Sequence, residues 1–299
     1  MNMKIHDALS NPFYSTSFVL GNLAPGFFRK RYLNKSKKFG VNGKYFILSF
    51  DCDTEKDIEV VGEVHQRLAD LNITPSYAVP GELLKKGASE YGKLKNNGAE
   101  FINHGYLSHT SYIESSKSYL STLFYDKLNK DEVEEDIING HNNFFDIFGE
   151  YPLGFRTPHF GTYQKSEQLN FLYGVLKKLN YSFSSSTTPV TGMWSGAIKK
   201  TSQGILEVPV SGSYDYPARI LDSWGFRFSP TRKLNENDYK EQFKKMMMFF
   251  NDPNTTGIFN IYADPSQVYD WDMFFDCMSL TTNLTNISFS GLIKKYDYL

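Results

Sequence analysis

From Lys44 onward, short continuous apolar runs alternate with segments of helical periodicity. The run YFILSF at residues 45–50 has no helical period and ends at acidic residues, which is typical of a buried strand. Similar β-prone runs follow at residues 75–79 and 100–103, and a polar segment between them predicts one helix over residues 82–97. A further helix is indicated by apolar residues at steps of three and four: Val61, Val64, Leu68 and Leu71. This alternation predicts parallel strands joined by helices.

The second half of the chain continues the pattern. Asn129 with Glu132 three residues later forms a capping-box signature, and Gly149 is placed to end that helix. The remaining patterns predict a strand before Arg156, helices over residues 169–179 and 238–250, and strands over residues 205–210 and 257–262. The order is that of an α/β fold, a (β/α) barrel, whose active site lies at the C-terminal ends of the strands.

The first 43 residues do not fit this pattern and are assigned to an N-terminal extension, with the barrel domain over residues 44–299. Residues 29–44 are strongly basic, which favours a solvated linker and leaves contact with phosphates or anionic lipid as the alternative. No apolar run reaches the roughly 18 residues that a membrane-spanning helix needs, and no secretion signal is recognisable. We therefore expect no transmembrane segment and a cytoplasmic location.

Composition narrows the class of partner. The chain has 32 Lys and Arg residues against 33 Asp and Glu residues, so its formal net charge of -1 provides no overall field to attract nucleic acid. Cys52 and Cys277 match no metal or redox spacing, which argues against a disulfide framework and against a thiolate zinc site. Hydrophobic residues make up 40% of the chain, which is enough for a substantial core. We expect a folded domain in a reducing compartment.

Polar clusters lie where three of the predicted strands end: Asp51-Cys52-Asp53, Asn103 to His109, and Arg156 to Gly161. In a parallel barrel these strand ends converge at one mouth. Two imidazoles and a carboxylate suit a borderline divalent ion such as Zn²⁺, with an open position left for water. The Asp-x-Asp pattern alone could equally hold Mg²⁺ or cap the following helix. The histidines shift the balance towards a metal site.

The sequence from about Lys44 to Leu299 resembles the polysaccharide deacetylases, the NodB-like carbohydrate esterases of family four. The resemblance is carried by four motifs in the family's order and approximate spacing: YFILSFDCDTE, ITPSYAVPGELL, GAEFINHGYLSH and PLGFRTPHFGTY. It implies a distorted (β/α) barrel and a metal-dependent hydrolase that removes N-acetyl or O-acetyl groups from carbohydrate. The implied cofactor is a divalent ion, foremost Zn²⁺, and the implied partner is an acetylated sugar or glycan.

By this resemblance, Asp51 would be the general base, and the ion would be bound by Asp53, His104 and His109. The family commonly spaces its two histidines four residues apart, whereas this chain spaces them five apart. On a regular helix a five-residue step rotates the second side chain by about 140°, so both histidines can face one ion only if the backbone between them is irregular. Gly105 makes that feasible. The alternative is that His109 is a loop residue and that another residue supplies the third ligand.

The resemblance also implies roles in the fourth motif. Arg156 would pair with Asp51 and hold it ionised and oriented, and a surface ion pair is the simpler alternative. His159 lies where the family places a loop whose backbone N–H stabilises the oxyanion of the reaction. Its side chain is expected to substitute for an aromatic residue, with proton donation as the alternative.

The family's late motif supplies a histidine as general acid, together with an acidic residue that orients it, and both are missing here. No histidine follows His159, and the late strand reads FNIYADPSQ, which places Tyr262 and Asp264 nearby. The segment expected to hold the acidic partner reads YSFSSSTTP. A general acid contributes about 10²–10⁴-fold, so its loss would slow hydrolysis without abolishing it. An O-acetyl substrate becomes conceivable, because an alkoxide leaves more readily than an amide anion.

These observations favour a metal-dependent deacetylase acting on an amino sugar or glycan intermediate in surface-polysaccharide biosynthesis. The first alternative is a non-catalytic member of the same fold that binds a glycan or a partner protein. A second is a retaining glycosidase, which needs two carboxylates about 5–5.5 Å apart, such as Asp51 with Glu207 or Asp264. That scheme gives His104 and His109 no role.

Overall fold

The computed structural model describes residues 11–229 and 234–296. Its strands are β1 Lys44–Asp51, β2 Ser76–Val79, β3 Glu100–Asn103, β4 Thr110–Ile113, β5 Ser118–Ser121, β6 Gly154–Phe155, β7 Phe183–Ser184, β8 Lys199–Lys200, β9 Leu206–Glu207, β10 Gly257–Ala263 and β11 Thr285–Asn286. Its α-helices are α1 Pro12–Leu23, α2 Pro25–Lys38, α3 Glu55–Ala69, α4 Gly81–Lys86, α5 Ala88–Asn96, α6 Lys130–Phe148, α7 Ser166–Lys178, α8 Pro189–Ser195, α9 Glu236–Asn251, α10 Pro265–Val268, α11 Asp272–Met278 and α12 Phe289–Tyr296.

One sheet organises the domain. Its order is β10-β1-β2-β3-β6-β7-β9-β8, with β11 beside β1, and its pairs are parallel except for the antiparallel β8. The chain beyond β9 curves back to β10, where Ser211 N–H donates to the Asn260 carbonyl at 2.7 Å and Asn260 Nδ2 donates to the Pro209 carbonyl at 3.0 Å. The two ends of the sheet therefore meet, which confirms the distorted (β/α) barrel.

The sequence pattern located six of these strands, including β1 and β10, and four of these helices, including α6. The capping box of α6 forms as expected, since the Asn129 side chain accepts from Glu132 N–H and the Glu132 side chain from Asn129 N–H. The single helix expected over residues 82–97 is wrong, because the chain forms α4 and α5 with Gly87 between them. The strand expected over residues 205–210 is shorter, since only Leu206–Glu207 pairs as a regular strand.

The expectation of a solvated linker over residues 29–44 is wrong. Most of this segment is α2, which begins at Pro25, a residue suited to the first helical position, and ends in a lysine-rich turn that complements the helix dipole. Helix α2 packs on the barrel, where the Tyr32 hydroxyl donates to the Ile258 carbonyl at 2.9 Å and accepts from its N–H at 3.0 Å. The domain boundary at residue 43 stays a prediction, and residues 1–10 lie outside the described residues. No helix among the described residues is long and apolar enough to span a bilayer.

Candidate active site

The alternation of β1 explains why two carboxylates emerge together at its C-terminal end. Phe46, Leu48, Phe50 and Cys52 face the core between the sheet and its outer helices. The opposite face begins with Tyr45 and Ile47 in the barrel interior and continues through Ser49, Asp51 and Asp53. Because side chains alternate along a strand, the Asp-x-Asp spacing puts both carboxylates on the interior face, at the barrel mouth. The intervening Cys52 thiol is free and buried, as is that of Cys277.

The irregular loop after β3 explains how two histidines that are five residues apart can face the same point. Residues 104–109 form no helix, and Gly105 has a φ of +82°, a left-handed conformation that glycine adopts without strain. The loop is held from α6, where Asp136 Oδ1 accepts from Leu107 N–H at 2.8 Å and Asp136 Oδ2 accepts from the Tyr125 hydroxyl at 2.5 Å. The irregular backbone turns His104 and His109 towards each other, with ring centroids 4.6 Å apart.

Asp53, His104 and His109 form a possible metal site. Asp53 Oδ1 lies 3.4 Å from His104 Nε2 and 2.9 Å from His109 Nε2. One ligand atom from each residue lies within 4.8 Å of the other two. All three atoms are buried and make no hydrogen bond of acceptable geometry. Three buried, unsatisfied polar atoms facing one point are unfavourable by themselves, and a cation bound between them would satisfy all three.

Electrostatics favour an ionised carboxylate in this cluster. Burial opposes ionisation of Asp53, but the two neighbouring imidazoles outweigh it and hold the pKa of Asp53 well below its usual range. Burial likewise opposes protonation of His104, and the carboxylates of Asp51 and Asp53 outweigh it, so the pKa of His104 is raised. The site thus attracts positive charge strongly.

The orientation of His104 is set by the strand next to it. Its Nδ1 lies 2.8 Å from the carbonyl oxygen of Arg156, which can only accept, so Nδ1 carries the proton and Nε2 presents its lone pair to the site. For His109, in contrast, neither ring nitrogen makes a hydrogen bond among the described residues.

Asp51 is held by a buried guanidinium. Arg156 has no solvent exposure, and its Nη1 donates to Asp51 Oδ1 at 2.6 Å. The other end of the guanidinium donates to Ser49 Oγ at 2.8 Å and to Ser185 Oγ at 3.2 Å. Asp51 Oδ2 faces the metal-site cluster, 3.9 Å from His104 Nε2. A surface ion pair, the simpler expectation, is therefore wrong, because this pair lies inside the barrel.

His159 closes one side of the site. Its φ of +56° is unusual for a residue with a side chain, and its Nε2 donates to the His109 carbonyl at 3.1 Å. Its ring lies 4.7 Å from that of Phe124. Burial, with a smaller contribution from His109, lowers the pKa of His159 to about 4. The imidazole is therefore neutral near neutral pH and acts in the structure as an aromatic wall with one hydrogen bond.

The cluster opens into a cavity of about 300 Å³. Its walls combine carboxylates, aromatic rings and hydroxyls, including Asp51, Asp53, Tyr119, Phe124, His159, Phe160, Asp222, Trp224, Tyr262 and Asp264. The late strand β10 ends here, so the sequence was a correct guide to the position of Tyr262 and Asp264. A cleft that combines aromatic rings with convergent polar groups has the character of a small-molecule site.

Asp264 differs electrostatically from the other acids of the cavity. Burial is the main cause that raises the pKa of Asp264 well above its usual range, and the negative charges of Asp53, Asp57 and Asp51 add to it. Gln267 Nε2 donates to Asp264 Oδ2, and the Ser223 hydroxyl accepts from Asp264 N–H at 3.3 Å. Asp264 is therefore a carboxylic acid favoured in its neutral form.

Several supporting residues gave no sequence signal. The β4–β5 hairpin forms part of the cavity wall, with the Tyr119 hydroxyl donating to Ser266 Oγ at 3.0 Å. Asp222 reaches the cavity from an irregular segment and accepts from the Tyr262 hydroxyl at 3.2 Å. Tyr119 and Asp222 lie in segments without a recognisable hydrophobic period, so their positions in the cavity wall become apparent only in the folded structure.

Glu207, considered above as a glycosidase carboxylate, has another role. Its Oε1 accepts from the N–H groups of Ser186 and Thr187 at 2.9 and 2.8 Å, and its Oε2 accepts from the Tyr173 hydroxyl at 3.1 Å. It is fully buried and does not line the cavity. The pairing of Asp51 with Glu207 is therefore wrong.

Comparison with known proteins places the fold. No family model matches the sequence, and no curated protein matches it either. Among solved structures, a putative polysaccharide deacetylase from Mycobacterium smegmatis is 15% identical, with a TM-score of 0.59 over 86% of this chain and 92% of its own. The Puue allantoinase is 9% identical, with a TM-score of 0.59 over 85% of this chain and 89% of its own.

A third solved structure is a mutant of a CE4 family pseudoenzyme with restored enzymatic activity. It is 11% identical, with a TM-score of 0.52 over 85% of this chain and 68% of its own. At these identities the likeness concerns the fold and not the activity. It agrees with the resemblance of the four sequence motifs, and this chain therefore has the fold of the polysaccharide deacetylases.

Proposed function

We propose that this protein is a metal-dependent deacetylase that hydrolyses an acetyl group from an amino sugar or related glycan. The observation that carries the proposal is the convergence of three buried ligand atoms without hydrogen bonds, on Asp53, His104 and His109, beside a carboxylate held by a buried arginine. Structural ion-pair networks satisfy their polar atoms internally, whereas this cluster leaves them directed at one point.

The donor set suits Zn²⁺. Two imidazole nitrogens and one carboxylate oxygen are a common three-residue set for catalytic zinc, which keeps a further position open. When bound, such an ion acts as a Lewis acid on a carbonyl and favours deprotonation of water at neutral pH. His104 is preset for binding by its hydrogen bond to the Arg156 carbonyl.

Asp51 is the general base in this proposal. Arg156 binds Oδ1, so the second oxygen, Oδ2, remains on the side of the metal-site cluster to accept a proton from the attacking water. Because Ser49 and Ser185 also bind the guanidinium, the base has little freedom to turn away. This is the positioning that efficient proton transfer requires.

The proton donor to the leaving group is Asp264 in this proposal. It lines the same cavity as Asp51, and its burial favours the neutral form. A neutral carboxylic acid can supply the proton that the leaving amine or alcohol needs. His159 fits this role less well, since its Nε2–H is already donated to the His109 carbonyl.

Carbohydrate is the substrate class that the cavity favours. The rings of Tyr119, Phe124, Phe160 and Trp224 line its wall and offer flat surfaces for sugar faces, while the carboxylates and hydroxyls offer acceptors and donors. The polysaccharide deacetylase named above has the same fold. A role in surface-polysaccharide biosynthesis in the cytoplasm completes the proposal.

The test combines metal analysis with acetate release. Purified protein should contain or take up close to one divalent ion per chain and release acetate from at least one of a panel of N- and O-acetylated sugars, sugar nucleotides and oligosaccharides. Allantoin belongs in the panel because a structural neighbour is an allantoinase. Asp51→Asn should retain the ion and lose hydrolysis. An active protein without any bound ion would contradict the proposal.

A non-catalytic glycan-binding role is the second candidate. It is favoured by the absence of any histidine after His159 and by the pseudoenzyme among the structural neighbours. Calorimetric binding of an acetylated oligosaccharide by metal-loaded protein, with no acetate released over the whole panel, would support this candidate against the first.

A further inference from the structure

Helix α1 exposes an unusually large number of apolar side chains. The residues that it buries are small, namely Ser15, Ser17 and Gly21. Tyr14 and Phe18 pack partly buried against the barrel, but four other large apolar residues are exposed: Phe13, Val19, Leu20 and Leu23 are between 43% and 75% exposed. Helices on a water-exposed surface normally bury their large apolar residues against the core. The exposed face of α1 therefore has the properties of a binding surface.

Helix α2 extends this surface with positive charge. Phe27, 60% exposed, lies one short turn after Leu23, and the exposed residues Lys30, Asn34, Lys37 and Lys38 follow it at helical spacing. Spacings of three, seven, ten and eleven residues place these side chains on the face that carries Phe27. Among residues 11–229 and 234–296, neither Lys30 nor Lys37 nor Lys38 forms an ion pair with a carboxylate.

Charge is distributed unevenly between the segment that contains α1 and α2 and the rest of the chain. Residues 11–50 contain seven basic residues and no acidic residue. The remaining chain is correspondingly acidic, since residues 51–299 hold 24 of the 32 basic and 32 of the 33 acidic residues. A net positive charge thus lies in the segment that also exposes Phe13, Val19, Leu20, Leu23 and Phe27. The net charge of -1 conceals this separation.

We propose that the α1–α2 surface, defined by Phe13, Val19, Leu20, Leu23, Phe27, Lys30, Lys37 and Lys38, docks on an anionic lipid bilayer. Apolar side chains enter the boundary between headgroups and acyl chains, while lysines interact with anionic headgroups at the same level. A second copy of this chain is disfavoured as the occupant, because a symmetric interface would bring two segments with seven positive charges each together. The rest of the chain, being acidic, is repelled by the bilayer and so orients the docked protein.

Vesicle co-sedimentation tests this proposal on the full-length protein. Vesicles of phosphatidylcholine with about one third phosphatidylglycerol should pellet the protein at low salt, and pure phosphatidylcholine should pellet at least about tenfold less. About 0.5 M salt should weaken binding strongly, because the electrostatic attraction is screened within a few ångströms. Equal partition into both kinds of vesicle, or none into either, would overturn the proposal.

Substitutions test whether vesicle binding occurs through the α1–α2 surface. Leu23→Ser combined with Phe27→Ser should lower the partition coefficient at least about tenfold, since each removes an inserted apolar side chain. The Lys30→Glu, Lys37→Glu double variant should lower the partition coefficient further than replacement of the same two lysines by neutral residues. The matched controls are Leu153→Ser with Met248→Ser, and Lys199→Glu with Lys200→Glu, which alter similarly exposed residues elsewhere. These controls should bind as wild type, and an equal loss in the controls would refute the assignment.

Two further measurements separate misfolding and self-association from docking. The melting temperature of the Leu23→Ser, Phe27→Ser variant should match that of wild type, because both side chains are exposed in the folded chain. If the variant is destabilised, two measurements on the wild-type protein still test the proposal. These are the salt dependence of vesicle binding and the displacement of the protein from vesicles by a soluble anionic lipid headgroup. A wild-type dimer in sedimentation velocity that becomes monomeric in this variant would assign the surface to a second copy and overturn membrane docking.

Discussion

The pairing of Arg156 with Asp51 yields the sharpest quantitative prediction from this structure. Arg156→Met removes the guanidinium, fills much of its volume with apolar atoms, and leaves the Asp51 carboxylate buried without its counter-ion. Ser49 and Ser185 lose the same donor. Asp51→Asn removes the other charge and leaves a buried arginine without a carboxylate. The double variant removes both charges together.

The expected cost follows from burial. Breaking a buried ion pair by removing one partner destabilises a protein by about 3–5 kcal/mol, whereas replacing both partners is often far less costly. We therefore expect each single variant to lose about 3–5 kcal/mol of unfolding free energy and the double variant to lose clearly less than their sum. A coupling free energy of about 2–3 kcal/mol lies within the range measured for residues in contact. At roughly 2–4 °C per kcal/mol, each single variant should melt about 6–20 °C lower.

Urea unfolding of chelator-treated protein is the suitable assay, because a bound cation would compensate part of the Asp51 charge. Lys178→Met provides the control, since Lys178 pairs with Glu134 at 2.8 Å on the exposed surface and should contribute at most about 1 kcal/mol. Additive effects of the two single variants, within about 0.5 kcal/mol, would refute the reasoning. So would an Arg156→Met cost no larger than that of the control.

Three further predictions concern the metal-site loop and the cavity. Gly105→Ala should weaken metal binding in a chelator-competition assay, because φ is +82° and a Cβ would overlap Asp136; Gly62→Ala, in open space, should not. His159→Phe should keep acetate release and its pH profile, and a hundredfold loss with the ion still bound would make His159 the proton donor. Because burial raises the pKa of Asp264, the unfolded chain releases this proton at a lower pH than the folded protein does, so the free energy of unfolding falls as pH rises above the ordinary carboxyl range. The melting temperature of chelator-treated Asp264→Asn should therefore depend less on pH in this range than that of chelator-treated wild type, and identical pH profiles would contradict this.

The elements that the sequence located carry a strong local signal, which is a continuous apolar run, a helical spacing of apolar residues or a helix cap. Strand β1 and helix α6 were located closely because apolar runs and a capping box mark them in the sequence. The split between α4 and α5 depends on Gly87, and one glycine within a helical pattern does not decide whether a helix ends. Helix α2 was missed because its exposed face is basic and its contacts with the barrel depend on few residues, such as Tyr32 and Ser36. In the sequence, a basic helix of this kind has the same charge pattern as a solvated linker.

The residues of the candidate site were accessible to sequence reasoning for a different reason. A strand end fixes where its side chains go, so the strand pattern alone places Asp51, Asp53, His104 and Arg156 at one mouth of the barrel. His109 could not be placed that way, since its direction depends on the loop that Asp136 and Tyr125 hold from outside the motif. Such supporting contacts carry no spacing that a sequence pattern can detect.

The serine-rich segment after β7 occupies the position where the sequence resemblance implies an acidic residue that orients a late histidine. Where the family's acidic residue would orient a histidine, Ser185 instead binds Arg156 through its hydroxyl and its carbonyl, and the Ser186 hydroxyl accepts from Thr157 N–H at 3.0 Å. These contacts tie the segment to the end of β6, where Arg156 binds Asp51. A late imidazole would need a carboxylate partner that this segment does not contain, whereas an aspartic acid that is buried beside other carboxylates is favoured in its protonated form without such a partner. Asp264 has such a position. The absence of both residues that the sequence resemblance implies is therefore consistent with Asp264 as the proposed proton donor.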